Sequence, residues 1–170
     1  RVEYRNPVFS PDGRQIAFDV RTQGHHEICT VSAGGATLRH LVADAFENGA
    51  PSWSRDGAWL YFGSNRGGTH QVWKVSAEGG TPSQVTRGGG MIAFESADGS
   101  TLYYSKRAGN GLWRKSLPEG DETPLPGGCA RAAFGAWRVD AHGVVCLDFE
   151  SRNGVPFSVL RRWPNPSGPI

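Results

Sequence analysis

Short apolar runs, separated by polar turns that contain glycine, follow one another along the whole chain. A first set of runs lies at residues 16–18, 60–62, 102–104 and 144–147, and each run comes shortly after such a turn. A polar loop and a second apolar run follow in every case, at residues 28–31, 72–75, 112–117 and 157–160. Weaker runs at residues 38–42, 83–86 and 123–125 come after further glycine turns. Runs this short, rich in aromatic and β-branched residues, predict strands, and their order indicates units of four antiparallel strands.

The turn motif recurs at a regular interval, which identifies a repeat. Ser10-Pro11-Asp12-Gly13 is followed by copies at residues 54–57 and 96–99 and by a degenerate copy at 139–143. Four-stranded units with a period of roughly 40 to 50 residues are typical of radial repeats, in which each twisted sheet packs on its neighbours around an axis. We therefore predict an all-β fold, a β-propeller fragment of about four blades with four antiparallel strands each.

The repeat also predicts how residues 1–163 are divided. The expected repeats cover about residues 6–48, 49–90, 91–132 and 133–163, and a proline-rich tail follows at 164–170. The fourth repeat lacks the Ser-Pro-Asp-Gly motif and runs directly into the tail. We therefore expect the last blade to be incomplete, without its outer strand.

The aspartate and the glycine of each turn have a structural explanation. The carboxylate accepts backbone N–H groups and the glycine takes a positive φ, which closes the hairpin between the first and second strands. We assign this role to Asp12, Gly13, Asp56, Gly57, Asp98 and Gly99. Phe9, Trp53 and Trp137 stand just before a turn and are expected to pack between neighbouring sheets. Glu95 takes that place in the third repeat and is expected to point into a solvated channel, with a ligand site as the alternative.

Charge, hydropathy and cysteine content argue against several classes of protein. The 170 residues carry 18 basic and 16 acidic side chains, a net charge of +2, so no strong field favours direct binding of nucleic acid by this segment. The sequence has no run of 18 apolar residues, so we predict no membrane span. Cys29, Cys129 and Cys146 are odd in number and widely spaced, and we predict three buried thiols with no zinc site and no disulfide framework.

Motifs for chemistry are missing or incomplete. Without a Gly-x-Ser-x-Gly elbow there is no candidate nucleophile, and we predict no catalytic residue, no enzyme activity, no cofactor and no metal for this segment. His25 and His26 are adjacent and point to opposite sides of an extended segment, and no acid or cysteine stands beside them at ligand spacing. Asp148 and Glu150 share a strand face, but the nearby Arg152 favours an ordinary ion pair over a calcium site.

The charged loops fall into two groups according to their position in the repeat. The loops between the second and third strands are expected to emerge on one side, which we call the basic face. Its candidate partner-binding residues, taken together with Glu95, are Arg21, His25, Arg66, His70, Lys106, Arg107 and Arg152. The turns and loops expected on the other side carry Asp12, Asp56, Glu78, Asp98, Glu119, Asp121 and Glu122. Two interpretations stay open, namely charges that only solvate loops and a surface that binds an acidic peptide, a protein or an anionic metabolite.

Longer stretches of the sequence resemble a known family. Ser-Pro-Asp-Gly-Arg-Gln-Ile-Ala-Phe at residues 10–18, Ser-Asn-Arg-Gly-Gly-Thr-His-Gln-Val-Trp-Lys-Val at 64–75 and Gly-Gly-Thr-Pro-Ser-Gln-Val-Thr at 79–86 are similar to the WD-like repeats of TolB-type propellers. The resemblance covers about residues 6–161. The third copy, Glu-Ser-Ala-Asp-Gly-Ser-Thr-Leu-Tyr-Tyr-Ser-Lys-Arg at 95–107, resembles the propeller region of bacterial winged-helix regulators.

The resemblance implies three alternative functions, because this fold serves several. The first is a non-catalytic interaction module that presents the basic face to a protein, a peptide or an anionic ligand. The second is an accessory or gating propeller of a larger enzyme, such as a prolyl-oligopeptidase-like peptidase. The third is the sensor propeller of a transcriptional regulator. Both the bacterial cytoplasm and the periplasm stay open as the compartment.

Ring closure leads to an expectation about assembly. Propellers close when a strand from the other terminus completes the last blade, and neither end of this chain supplies that strand. An open ring would leave apolar blade faces and strand edges uncovered. Either further blades belong to a longer chain, or two chains complete one ring of about eight blades as a homodimer, which is the arrangement we expect.

Overall fold

The computed structural model describes residues 2–22, 24–35, 37–106, 111–126, 129 and 135–164. Every regular element in these residues is a β-strand. The strands are β1 (Glu3–Phe9), β2 (Gln15–Thr22), β3 (His25–Ser32), β4 (Arg39–Val42), β5 (Asn48–Trp53), β6 (Trp59–Gly67), β7 (Thr69–Ser76), β8 (Ser83–Gln84), β9 (Ala93–Glu95), β10 (Thr101–Ser105), β11 (Leu112–Ser116), β12 (Glu122–Pro124), β13 (Trp137–Asp140), β14 (Gly143–Arg152) and β15 (Val155–Pro164). Their positions follow the apolar runs of the sequence.

The strands form four meandering sheets, in which each strand lies beside the next one along the chain. The sheet orders are β1-β2-β3-β4, β5-β6-β7-β8, β9-β10-β11-β12 and β13-β14-β15. Neighbouring strands are antiparallel, as in the β2–β3 and β6–β7 pairs. The predicted fold class, a partial β-propeller made only of strands, is therefore confirmed, and each sheet is one blade. The fourth sheet has three strands in the described part of the chain, as expected for an incomplete last blade.

The chain divides into two compact units, Arg1–Ala93 and Phe94–Ile170. The first unit holds the first and second blades. The second unit holds the fourth blade and all of the third except Ala93. The repeat boundaries given above stay a prediction.

The turn between the first and second strands is closed by the same hydrogen bonds in each of the first three blades. In the first blade the Ser10 hydroxyl donates to Asp12 Oδ1 over 2.6 Å, and the Arg14 backbone N–H donates to the same oxygen over 3.1 Å. Gly13 has a φ of +71°, which would strain a residue with a side chain. The second and third blades repeat this arrangement with Asp56, Gly57, Asp98 and Gly99. This is the turn that the sequence motif leads us to expect.

The core of the first unit lies between the facing sides of its two blades. Its buried side chains are Ala17, Ile28 and Val42 of the first blade and Trp53, Leu60, Phe62, Val75 and Ala77 of the second repeat. The indole N–H of Trp53 also donates to the Val8 carbonyl over 3.2 Å. Trp53 therefore packs between the sheets, as predicted.

Phe9 is an exception to that prediction. Phe9 is 61% exposed, so its expected burial between sheets is wrong. It lies opposite Ile16 in the same register that places Trp53 opposite Leu60. Trp53 packs on the blade that precedes its own, whereas the described residues contain no blade before the first one. The equivalent side chain of the first blade is therefore left in solvent.

The backbone of β6 comes very close to another segment at Gly63. A Cβ atom added to Gly63 would lie 2.6 Å from the carbonyl oxygen of Met91, which is too short for any side chain. Gly34 offers a contrast, since a Cβ atom there would meet nothing within 4 Å.

The second unit is held by an aromatic contact and a covalent bond. Trp137 is 2% exposed and packs edge-on to Phe94, with ring centroids 4.9 Å apart, as predicted for a tryptophan before a turn. Cys129 and Cys146 form a disulfide, with Cα atoms 6.2 Å apart. The prediction of three unpaired thiols is therefore wrong, and only Cys29 is free. The error arises because folding joins cysteines that are 17 residues apart and follow no recognisable spacing.

Large apolar side chains are exposed in both units. In the first unit they are Val2, Tyr4, Phe9, Phe46 and Trp59. In the second unit they are Leu147, Phe149, Val155, Phe157 and Leu160. The second group lies entirely on the β14–β15 hairpin. Apolar surface of this kind is suited to contact with other protein.

Candidate functional site

The candidate residues of the basic face lie at equivalent hairpin ends of their blades. Arg21 and His25 flank the β2–β3 turn, Arg66 and His70 flank the β6–β7 turn, Lys106 follows β10, and Arg152 ends β14. Glu95 is the half-buried last residue of β9. Arg107 lies outside the described residues. Each of the four hairpins thus joins the second and third strands of its blade, as the repeat predicts.

Two of these cations are exposed and form no ion pair or hydrogen bond with the described residues. Arg21 and Arg152 both have exposed side chains. Neither side chain has an ion-pair or hydrogen-bond partner among the residues described by the structure. Their guanidinium groups are therefore available to bind an anionic group from another molecule.

Arg66 is held by residues of its own blade and of the segment that precedes this blade. Its guanidinium Nη2 donates to Asp44 Oδ2 over 2.9 Å and to Asn48 Oδ1 over 3.0 Å. The Cζ atom lies between 5.1 and 5.8 Å from the ring centroids of Phe46, Phe62 and Trp73. Burial lowers the pKa of Arg66, and the neighbouring Asp44 opposes that shift. This arrangement, which we call the Arg66 cage, fixes the start of the β6–β7 turn.

Lys106 also contacts residues of its own blade. It is 7% exposed, and its Nζ atom lies 3.3 Å from the centroid of the Trp113 ring and 3.8 Å from Glu122 Oε2. Burial lowers the pKa of Lys106, and Glu122 opposes that shift. The backbones of Lys106 and Glu122 lie toward opposite ends of β11, because Lys106 follows Ser105, the partner of Leu112, whereas Glu122 is the partner of Lys115. The Lys106 side chain lies along its sheet over Trp113 and so reaches Glu122.

The adjacent histidines point to opposite faces of β3, as predicted. His26 Nδ1 lies 3.2 Å from Asp19 Oδ2, and Asp19 is 1% exposed. Asp19 Oδ1 also accepts hydrogen bonds from the Asn6 side chain over 2.6 Å and from the Ala50 backbone over 3.1 Å. Asp19 was not identified from the sequence, because its role depends on the contact of β2 with β5. These bonds satisfy the buried carboxylate and tie the first two blades together.

His25 faces a cluster that the sequence prediction missed. Glu27, Cys29 and His40 each bring one possible metal-ligand atom to within 4.8 Å of the others, a combination that the interpretation of His25 and His26 from the sequence did not consider. His25 Nε2 lies 3.7 Å from Glu27 Oε1. The residues 25, 27 and 29 alternate along β3 and share one face, a period that was visible in the sequence. His40 could not be found, because it comes from β4.

Cys29 is not suited to nucleophilic catalysis. Burial, followed by the charges of Glu27 and Asp19, raises the pKa of the Cys29 thiol to about 12, and a thiol rather than a thiolate is a poor nucleophile. Burial would raise the pKa of Glu27, but hydrogen bonds from Thr22 and His40 outweigh it and lower that pKa. The cluster therefore pairs an ionised carboxylate with a protonated thiol.

The paired carboxylates of β14 have a partner other than the one predicted. Arg161 Nε lies 3.4 Å from Asp148 Oδ2, and Arg161 Nη2 donates to Glu150 Oε1. An ion pair is therefore present, as expected, but with Arg161 of β15 in place of Arg152. The antiparallel register places Cys146 opposite Arg161 and Arg152 opposite Val155, so Arg161 reaches both acids from the neighbouring strand.

The family of the chain follows from its match to a family model. The model described as the TolB beta propeller domain matches residues 3–126. The chain belongs to this family. The match covers the first three blades, whose turns carry the Ser-Pro-Asp-Gly motif or its variants. A comparison with curated proteins finds no match.

Solved structures extend the likeness to the TolB beta propeller domain over almost the whole chain. A putative TolB from Agrobacterium tumefaciens is 18% identical, with a TM-score of 0.67, over 97% of this chain and 60% of that one. TolB from Acinetobacter baumannii is 19% identical, with a TM-score of 0.69, over 93% of this chain and 40% of that one. A puromycin-hydrolyzing peptidase from Mycobacterium tuberculosis is 18% identical, with a TM-score of 0.66, over 99% of this chain and 30% of that one. Identities this low establish the fold alone.

The length of the match limits what the likeness implies. This chain spans 60% of the first TolB structure, 40% of the second and 30% of the peptidase. The described residues include no helix with the length and hydropathy needed to cross a membrane.

Proposed function

We propose that this TolB-type propeller is a non-catalytic interaction module whose basic face binds an acidic segment of a partner protein or peptide. The observation that carries the proposal is the state of Arg21 and Arg152. Both occupy the same hairpin end of their own blades, both are exposed, and neither has an internal partner among the described residues. Exposed guanidinium groups are suited to pair with carboxylates of another molecule.

The remaining residues of the basic face have supporting roles in this proposal. Arg66 and Lys106 stabilise their hairpins through Asp44 and Glu122. His25 and His70 flank the same turns as Arg21 and Arg66. Glu95 ends β9 next to the turn of Asp98, at the other end of its blade. Arg107 stays a proposed member of the face. An acidic peptide is favoured over nucleic acid, because the net charge of +2 supplies no strong field along a polyanion.

Charge reversal tests the basic face. A fluorescently labelled polyglutamate peptide serves as the probe, and its binding to the chain is measured by fluorescence anisotropy at low and physiological salt. We expect Arg21→Glu combined with Arg152→Glu to weaken binding about tenfold, since exposed charges contribute roughly 0.2 to 1 kcal/mol each and reversal also adds repulsion.

The matched control is Arg14→Glu combined with Lys115→Glu, which changes the net charge equally. Arg14 lies in a first-to-second turn and Lys115 lies near the same end of its own blade. Equal weakening by the two double variants would show a general charge effect, and unchanged binding in the Arg21 and Arg152 variant would show that the face is wrongly assigned. Either result contradicts the proposal.

A second candidate function is that of an accessory propeller in a larger enzyme. The likeness to the mycobacterial peptidase over 99% of this chain favours it. In that case the propeller would gate substrates for a catalytic domain encoded in the same gene, whereas a sensor role would require a winged-helix domain there. Sequencing the complete gene distinguishes the three functions.

We further propose that the chain associates through its exposed apolar surface. The β14–β15 hairpin exposes five large apolar side chains, and a homodimer that completes one ring would cover such surfaces. Light scattering should then give twice the chain mass of 18.3 kDa, and a monomer at all concentrations would contradict the homodimer. The Cys129–Cys146 disulfide supports the periplasm over the cytoplasm, because disulfides persist in oxidising compartments.

A further inference from the structure

One face of the first blade concentrates three side chains that are able to bind a transition metal. Glu27 and Cys29 alternate along β3 and therefore project from the same face. His40 of β4 is the direct antiparallel partner of Cys29. Two neighbouring strands thus bring imidazole, carboxylate and thiol groups together without a loop, which favours a well-defined geometry.

The distances are close to those of a tetrahedral zinc site. Cys29 Sγ lies 3.5 Å from His40 Nδ1, and Zn–S and Zn–N bonds of about 2.3 and 2.0 Å at a tetrahedral angle separate such atoms by about 3.5 Å. Glu27 Oε2 lies 2.6 Å from His40 Nδ1, a hydrogen-bond distance. A zinc ion would replace the proton between these two atoms and separate them to about 3.3 Å.

The surroundings hold the ligands in place and leave a route for the ion. The Thr22 hydroxyl donates to Glu27 Oε1 over 2.8 Å, so that Oε2 is turned toward His40, as hydrogen bonds around metal sites commonly arrange. Cys29 is fully buried, whereas the His40 side chain is 46% exposed. An ion can therefore enter from the His40 side and reach a thiol that solvent does not touch.

A catalytic relay is a poor explanation for the same contacts. Glu27 and Cys29 both approach Nδ1 of His40, whereas a relay needs the acid and the nucleophile on different ring nitrogens. The mixture of sulfur, nitrogen and oxygen atoms also disfavours calcium and magnesium, which take oxygen ligands.

We propose that Glu27, Cys29 and His40 bind Zn²⁺, with water in the fourth position. This site is separate from the proposed binding of an acidic partner. The test therefore uses His40, which is not part of that face, so failure of one proposal leaves the other intact.

The test measures zinc and cobalt binding to the chain after treatment with a chelator. Calorimetric titration should show one Zn²⁺ per chain, with affinity at least about tenfold lower in His40→Gln, since even indirect changes around metal ligands cost 10- to 100-fold. His142→Gln is the matched control, because His142 is exposed in the turn before β14 and lies outside the cluster. Circular dichroism verifies that both variants are folded, as expected from the exposure of both side chains.

Cobalt provides a readout that requires no variant. Because Cys129 and Cys146 form a disulfide, Cys29 is the free thiol of the chain. A thiolate-to-cobalt charge-transfer band in the near ultraviolet would therefore identify Cys29 as the ligand, and the band should weaken in His40→Gln but not in His142→Gln. Equal zinc affinity in both variants, or bound cobalt without the thiolate band, would overturn the proposal.

Discussion

The Arg66 cage gives a quantitative test of how the propeller stabilises its loops. Replacing Arg66 with alanine removes its contacts to Asp44, Asn48 and three aromatic rings. The Arg66 side chain is 11% exposed and that of Asp44 is 33% exposed, so the ion pair is partly screened by solvent. We therefore expect a loss of stability well above that of an exposed arginine and below that of a fully buried ion pair.

The contacts determine the magnitude. Hydrogen bonds to charged groups contribute about 1.5 to 3 kcal/mol, and Asp44 retains two donors after the substitution, the amide group of Asn48 at 2.8 Å and the Phe46 backbone N–H at 3.1 Å. Contacts between a cation and aromatic rings contribute about 0.5 to 1 kcal/mol each at exposed sites. Asn48 is 1% exposed, and its carbonyl oxygen would lose the Arg66 donor. Together these contributions predict that Arg66→Ala lowers the free energy of unfolding by about 3 kcal/mol.

Urea denaturation followed by tryptophan fluorescence measures this loss. Arg66→Lys keeps the charge but not the planar donor fork, so we expect an intermediate loss of about 1 to 2 kcal/mol. Arg21→Ala is the matched control, because Arg21 lies near the end of the equivalent strand of the first blade and is exposed; its effect should be within about 0.5 kcal/mol. If Arg66→Ala and Arg21→Ala have equal effects, the cage does not stabilise the fold and the reasoning fails.

Three further predictions concern the backbone, the turns and the disulfide. Gly63→Ala should destabilise the chain by about 1 to 3 kcal/mol through overpacking, while Gly34→Ala should have little effect; thermal unfolding compares the two, and equal melting temperatures would contradict the close approach. Hydrogen bonds from Ser54 and the Ala58 backbone hold the pKa of Asp56 below its ordinary 3.8. The folded-state pKa is thus lower than the unfolded one, so this stabilisation is present above about pH 4 and is lost as the pH falls through the folded value. Urea titrations at a series of pH values should show a shallower acid loss in Asp56→Asn, and an unchanged slope would contradict this. Reduction of Cys129–Cys146 should lower stability by about 3 kcal/mol, measured by urea unfolding with and without reductant; no change would show that the disulfide does not constrain the unfolded chain.

Much of the fold could be predicted because it depends on local patterns. The Ser-x-Asp-Gly turn is closed by bonds among residues within five positions of one another, and strand alternation is a property of the extended backbone. Trp53 and Trp137 were correctly placed because their offset from the turn fixes the face they occupy. Phe9 has the same offset and the same register, yet its side chain is exposed, because burial also requires a neighbouring sheet to pack against.

The candidate site was less predictable because it depends on contacts between strands. The repeat identified Arg21, Arg66, Lys106 and Arg152 as equivalent positions, but it treated them as equally available. The structure shows that Arg66 packs against Asp44 and Lys106 over Trp113, whereas the other two cations are exposed. The side-chain surroundings differ from blade to blade although the backbone repeats.

The fold class, the number of blades in this chain and the structural role of the turn aspartates follow from local sequence, because hydrophobic period and turn chemistry act over a few residues. The partners of individual charges, the Cys129–Cys146 pair and the contact of His40 with Glu27 and Cys29 arise only in the folded chain. These contacts join residues on different strands or blades. Their geometry depends on strand register and side-chain packing, which only the folded chain establishes.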